Sequence, residues 1–446
     1  MILLVKERTG ASLLAQVWLG LLLGMLVLNP GGLNFGLAWP LQASDDFGLL
    51  AHRNAWESPV LHQKQEASPS PAAQDAQIHE QECRRLLEEL RGILKKAKQA
   101  EFGYKLGTYS QSEDFQKMWE EARTEGKKVK RQLDQALYQW LLSTDQFDPE
   151  LVEVARFAIG PIFEDCNYEM AYQMSSRLDS VFPNERDIQW MKARTAMVTN
   201  RFGEAAELRD KIGDLIKKTD EHEREMFLRL PEYQSILVKE QQIRAAEAMA
   251  DDLPRVEIVT TEGTIVLELF ENEYPETVGN FISLVESGFY DNLIFHRVTK
   301  NFRPLSVAEA GFLQMEADLA SGLLRFPRRK AGYNIVDEQT RGEVRTHLRG
   351  TISMLKEYDQ KGVVIPNSRS STFFIPLVPI PLLDSQHTVF GRVISNLEVI
   401  DKIQPNIKTS PDDGTETPLE RPGFTKILKA TVLRKRDREY VPNRVQ

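Results

Sequence analysis

The chain has 446 residues, too many for one ordinary hydrophobic core, so two or three domains are expected. Its formal net charge is −9 and it carries no long basic tract, which leaves nucleic acid without an electrostatic footprint. The two cysteines, Cys83 and Cys166, do not make a disulfide framework. They read as unrelated thiols, with a single bridge available only in an oxidising compartment.

The first segment reads as a targeting element. Lys6 and Arg8 precede an apolar stretch from Ala11 to Leu28, which ends at Asn29-Pro30-Gly31-Gly32. That stretch is long for the apolar part of a cleaved signal and just long enough to span a bilayer. With the positive flank on its N-terminal side, residues 1–40 are expected to form a single-pass membrane anchor that leaves the bulk of the chain extracytoplasmic. Small residues at Ala38 and Ala43 keep export after signal cleavage as the alternative. Residues 41–78 lack a sustained period, end in a Ser/Pro/Ala-rich run, and read as a flexible linker.

From 79 to 250 glycine and proline become sparse and apolar residues recur at three and four. Leu86, Leu87, Leu90, Ile93 and Leu94 mark one helix, and Val129, Leu133, Leu137, Trp140 and Leu141 another. Tyr168 and Phe202, and again Ala171 and Ala205, stand about 34 residues apart, with Pro183 after the first alanine. This aromatic–small–proline pattern resembles the tetratricopeptide repeat, in which the proline would end the second helix. An irregular helical bundle is the alternative. Either arrangement offers a surface to a protein partner or a client chain and does no chemistry.

Gly263 to Val298 reads as strand, helix and strand in one piece. Ile265, Leu267 and Leu269 alternate along the first strand. Pro275 opens a helix carrying Val278, Phe281, Ile282 and Val285 at helical spacing. After Gly288 the second strand delivers Phe295-His296-Arg297-Val298. An arginine between apolar neighbours needs a partner or a task, because an unpaired buried guanidinium is very costly.

This run closely resembles the cyclophilin-type peptidyl-prolyl isomerases, and three further blocks follow in the family's order. They are Arg349-Gly350-Thr351-Ile352-Ser353-Met354, Phe373-Phe374-Ile375, and the segment from Leu383-Asp384 through His387 to Val389-Phe390-Gly391. The resemblance covers roughly 254 to 436, leaving a tail at 437–446. It implies a multidomain α-plus-β chain: an all-α domain, then a closed antiparallel β-barrel with two capping helices. It also implies peptidyl-prolyl cis-trans isomerase activity, which the N-terminal segment would place outside the cytoplasm as an aid to protein folding. Arg297 matches the catalytic arginine, Phe374 and Leu383 match walls of the proline pocket, and His387 matches the histidine at its rim. The implied partners are proline-containing polypeptides; no metal and no cofactor is implied.

The chain departs from the family's pattern in several places. After F-H-R-V the family has G-F-M-x-Q-G-G-D, whereas here Thr299-Lys300-Asn301-Phe302 follows and Gly311-Phe312-Leu313-Gln314 comes only later. Either Phe302 is the pocket phenylalanine and an insertion follows it, or the insertion precedes Phe312 and Leu313. Gln314 is the candidate to orient Arg297. Thr372 replaces a second glutamine, Leu355-Lys356-Glu357 replaces A-N-A, and Leu382 replaces a tryptophan that helps the family bind cyclosporin. The rival reading is therefore a slow or inactive cyclophilin-like scaffold that grips proline-containing chains while the helical domain does the main work.

Overall fold

The computed structural model describes residues 71–106, 109–300, 306–312, 316–318, 323–325, 331–339, 345–409, 416–418 and 423–445. They fall into two compact units, one ending at Phe157 and the other beginning at Ala158.

In the first unit two long helices, α1 (Pro71–Leu106) and α2 (Tyr109–Ser143), form a hairpin and lead into α3 (Pro149–Glu164). Leu86, Leu90, Ile93 and Leu94 recur at helical spacing on α1 and are buried, as are Leu133, Leu137, Trp140 and Leu141 on α2. Ion pairs such as Arg84–Glu80 at 3.0 Å and Arg85–Glu89 at 2.8 Å line the exposed side of α1. Each contributes only a few tenths of a kcal/mol, about 0.3–0.5, so the apolar seam holds the hairpin. Helix α1 begins at Pro71, inside the stretch expected to be linker. Proline suits a first helical turn, where its missing N–H would have no partner, and Ala72 and Ala73 follow it.

The expectation of a membrane anchor is corrected. No helix among the described residues is long and apolar enough to cross a membrane. The long helices that are described, α1 and α2, alternate apolar and charged faces instead. The stretch from Ala11 to Leu28 lies outside the described residues. Single-pass anchoring and an extracytoplasmic location thus find no support in the structure and are set aside.

The second unit opens with helices α4 (Tyr168–Val181), α5 (Arg186–Val198), α6 (Phe202–Arg209), α7 (Gly213–Ile216), α8 (Glu221–Leu228) and α9 (Leu230–Ala250). Tyr168 and Phe202 each open a helix, and Ala171 and Ala205 are fully buried one turn on. Pro183 does not end the second helix of the pair; it stands in the turn between α4 and α5. The next pair is cut short, since α6 has 8 residues.

These helices pack on the residues that follow them, which is why the packing divides at Ala158 and not near 250. The segment 345–349 is the seam. Leu348 joins the apolar cluster of Phe202, Phe227, Leu230 and Tyr233. Arg345, 3 % exposed, pairs with Glu240 at 2.9 Å and with Glu247 of α9, and with Glu273 at 2.8 Å. The Arg349 guanidinium is sealed off from solvent; it donates to Asp401 Oδ2 at 2.9 Å and to the Leu377 carbonyl at 3.0 Å. Asn200 brackets the Arg349 backbone, donating to its carbonyl at 3.0 Å and accepting from its N–H at 3.2 Å.

The remaining chain builds an antiparallel sheet of β1 (Arg255–Thr260), β2 (Gly263–Leu269), β3 (Ile294–Val298), β4 (Val307–Phe312), β8 (Thr351–Met354), β9 (Phe373–Pro376), β10 (Thr388–Ser395) and β13 (Ile427–Arg434). Its order is β13-β1-β2-β10-β8-β9-β4-β3. Short pairs outside it are β5 (Glu316–Asp318) with β6 (Leu323–Arg325), β7 (Asn334–Ile335) with β14 (Arg444–Val445), and β11 (Ile407–Thr409) with β12 (Glu416–Pro418). The sheet closes on itself where Ile294 bridges Lys426 and the Phe295 N–H reaches the Thr425 carbonyl at 3.0 Å. Closure removes the exposed edges that an open sheet would present. Helix α10 (Pro275–Glu286) packs Val278, Phe281, Ile282 and Val285 against the barrel core, and α11 (Val399–Lys402) is a single turn beside β2. Cys83 and Cys166 are free and buried, and burial pushes each thiol up to about 12.

Candidate active site

Strand β3 reaches the pocket through a bulge. Phe295 pairs with Ala310 and Arg297 with Glu309, so two residues on β3 oppose one on β4. The extra residue, His296, is thereby turned to the same carboxylate, its Nε2 lying 3.7 Å from Glu309 Oε2. Phe295 fills the core, while the Arg297 side chain stays 25 % exposed and ion-pairs with Glu309 through Nη1. The guanidinium is thus fixed by one carboxylate and still reachable from solvent.

Glu309 is also the register partner of Phe374 on β9, and this brings the two strands' side chains to one place. Phe374 is 2 % exposed and lies parallel to the His347 ring, with centroids 5.6 Å apart; the edge of His387 meets it at 5.5 Å. Leu383 ends a short 3-10 turn, Pro381–Leu383, and faces the same space. Together Arg297, Val307, Glu309, Leu355, Lys356, Tyr358, Phe374, Leu383 and His387 line an open pocket of about 360 Å³. The lining joins apolar side chains to the Arg297 guanidinium and a few polar groups. That volume suits a proline ring with its neighbouring backbone.

His387 is buried and lies in a defined hydrogen-bond frame. The Lys356 N–H donates to its Nδ1 at 3.3 Å, and its Nε2 lies 2.7 Å from the Tyr358 hydroxyl. Burial, and then the charges of His347 and Lys356, lower its pKa to about 3, while the Met354 carbonyl works weakly the other way. His387 is therefore a neutral ring near pH 7. Lys356 turns its ammonium away from the pocket to Asp337, at 2.9 Å.

The sequence motifs place Arg297, Phe374, Leu383 and His387 in one pocket, as the resemblance implies. Phe302, Leu313 and Gln314 lie outside the described residues. Phe312 stands at the far end of β4, paired with Ile294. The strand beside Arg297 is Val307-Ala308-Glu309-Ala310-Gly311, and its Glu309 pairs with Arg297. Gly311 adopts φ +141°, and a Cβ there would meet the Thr372 backbone at 3.1 Å, which limits the position to glycine. A short run of apolar and small residues broken by one carboxylate was the signal that could have found this strand. Val307, Leu355 and Tyr358 were missed as well. Leu382 is half exposed and is not among the pocket-lining residues.

The model of the family described as cyclophilin type peptidyl-prolyl cis-trans isomerase/CLD matches residues 255–432. Peptidyl-prolyl cis-trans isomerase-like 1 of Neurospora crassa is 33% identical over 184 residues, 41% of this chain and 97% of that protein. Peptidyl-prolyl cis-trans isomerase ppi1 of Schizosaccharomyces pombe is 34% identical over 181 residues, 41% of this chain and 100% of that protein. A crystal structure of a Cryptosporidium parvum cyclophilin type peptidyl-prolyl cis-trans isomerase aligns with 41% of this chain and 99% of its own, at 22% identity and a TM-score of 0.29. The matched span begins at β1 and ends within β13, so the helices before it are an addition to a complete barrel. Through that barrel the chain belongs to the cyclophilin-type peptidyl-prolyl cis-trans isomerases.

Proposed function

We propose that Arg297 catalyses rotation about X–Pro bonds of polypeptide substrates by donating to the prolyl nitrogen as the amide twists. The barrier is about 18–20 kcal/mol because amide resonance must be broken, and no nucleophile or proton transfer is needed. Twisting makes the nitrogen pyramidal and gives it a lone pair. A cationic N–H aimed there is stronger in the twisted state than in the planar one, which is the condition for catalysis. Phe374, Leu383 and Val307 supply the apolar wall for the ring, and Glu309 holds the guanidinium in position. The observation that carries this reading is the exposure of Arg297 in the pocket beside Phe374 and Leu383, while Phe295 and Val298 of the same strand are buried. Arg297→Ala is expected to remove most isomerase activity, by about a hundredfold or more, with little change in thermal stability. Activity within about twofold of the parent in a coupled-protease assay would sink the assignment.

A second reading follows from Glu309. A full carboxylate quenches more of the guanidinium charge than an amide would, so the pocket would bind proline-containing chains and turn them over slowly. Glu309→Gln separates the two: a rise in kcat with unchanged peptide affinity favours the slow, binding-dominated form. The helical hairpin α1–α2, whose described outer face is charged, we assign to holding a protein partner and not to chemistry.

A further inference from the structure

The loop between β8 and β9 begins with Leu355-Lys356-Glu357, which lacks the small residues and amide of the family's pattern. It then folds into a compact hairpin. Tyr358 bridges Val364, and the Ile365 N–H reaches the Glu357 carbonyl at 2.8 Å. The Asp359 carboxylate accepts from the N–H groups of Lys361 and Val363, both at 2.8 Å, and Gly362 takes φ +77° at the tip. These bonds make the hairpin a built platform, and Tyr358 is the residue it presents to the pocket.

Tyr358 lines the same pocket as Arg297 and Glu309, with its hydroxyl at the His387 rim. Its ring is 45% exposed, and the charges of Glu309 and Arg297 both act on it, after burial. Its hydrogen-bonding role follows from its neighbour. The Lys356 N–H donated to His387 Nδ1 selects the tautomer in which that nitrogen bears no proton, against the pull of the Met354 carbonyl. The single proton of the neutral ring then sits on Nε2, which lies 2.7 Å from the Tyr358 oxygen. His387 therefore donates and Tyr358 accepts. The phenolic proton is not spent on His387 and is left for an acceptor inside the pocket.

We propose that Tyr358 is a substrate-binding residue of the isomerase site, donating its O–H to a backbone carbonyl of the proline-containing chain. It would supply the grip on the substrate backbone that Leu355-Lys356-Glu357 does not offer. The inference rests on the assignment of the site to Arg297, and it concerns binding while Arg297 concerns turnover. A hydrogen bond of this kind shows in peptide affinity and KM, not in stability.

The test uses the full chain and a saturable X–Pro tetrapeptide, with peptide binding measured directly beside kcat and KM. Tyr358→Phe keeps the ring, its packing and the hairpin and removes only the hydroxyl. It is expected to weaken peptide binding and raise KM about fivefold, the worth of one neutral hydrogen bond, with kcat within about twofold and an unchanged Tm. Peptide affinity of Tyr358→Phe equal to the parent's would overturn the proposal. So would imidazole nitrogen NMR showing the proton of His387 on Nδ1, because the hydroxyl would then be consumed in donating to Nε2. Arg297→Ala measured in parallel keeps the two failures apart. An active Arg297→Ala variant removes the site assignment, whereas peptide binding by Tyr358→Phe is read without turnover.

Discussion

Arg297 and Arg349 are both motif arginines set among apolar neighbours, and they end in opposite situations. Arg297 keeps a quarter of its side chain in solvent and has Glu309 beside it in an open pocket. Arg349 has none of its side chain exposed; Asp401 and the Leu377 carbonyl take its protons, and the Tyr168 ring lies 5.7 Å from its guanidinium carbon. The cost of an unpaired buried guanidinium explains why each has a partner, but it does not say which one works. Access to a pocket decides that. Arg297 lines an open pocket, and Arg349 fastens the helices α4–α9 to the barrel.

The largest effect expected from this contrast is on stability. Arg349→Ala leaves Asp401 buried without its cation and should destabilise the chain by about 3–5 kcal/mol in denaturant unfolding. Arg297→Ala should cost less in the same measurement, since buried Glu309 lines the open pocket and keeps His296 beside it. Combining Arg349→Met with Asp401→Leu should recover much of the loss, because the desolvation penalty leaves with both charges. Equal losses for Arg297→Ala and Arg349→Ala would erase the distinction.

The sequence carried the barrel well and the seam poorly, for a physical reason. F-H-R-V, F-F-I and L-D-x-x-H are local strings, each folded by its own strand or turn, and Arg297, Phe374, Leu383 and His387 meet because those strands are neighbours. Glu309 is hidden in the sequence because an insertion moves β4 away from its expected distance, and because a carboxylate stands where the family has an amide. Arg345 gives no local sign of its role: its partners Glu240 and Glu247 are about a hundred residues away on α9. Pro183 was read from a repeat template that places it after the second helix, whereas the chain uses it to turn between α4 and α5.

A second contrast is between His387 in the folded pocket and the same ring in the unfolded chain. The folded pKa of His387 is depressed from 6.5 to about 3, so unfolding takes up a proton in that window. The stability it contributes is fully present above pH 6.5 and is lost as the pH falls toward 3, with a slope of up to about 1.4 kcal/mol per pH unit. His387→Asn should flatten the unfolding free energy between pH 6 and 4 relative to the parent. A parent curve no steeper than the variant's would show that His387 is charged in the folded chain.

A smaller effect attends the carboxylate beside Arg297. Glu309→Ala frees the guanidinium to sample other rotamers and should lower kcat/KM about tenfold, near 1.4 kcal/mol. Glu309→Gln retains an acceptor oxygen for Nη1 and should stay closer to the parent than the alanine variant does. An alanine variant as active as the parent would mean that the strands alone hold Arg297 in place.

The smallest effect is expected at Leu382, at the pocket's margin. Its side chain is 49% exposed on the 3-10 turn Pro381–Leu383 and takes no part in lining the pocket. The tryptophan that many cyclophilins carry there has an indole N–H donor, and leucine has none. Cyclosporin should therefore bind the parent chain weakly, and Leu382→Trp should tighten it by about fivefold, one hydrogen bond's worth. Stability should move by no more than about 0.5 kcal/mol, as for most surface substitutions. Peptide turnover should be untouched, since the ring would stand outside the wall made by Phe374 and Leu383. Tight inhibition of the parent by the drug would show instead that the turn is out of register with the family's tryptophan, and that the donor comes from another residue.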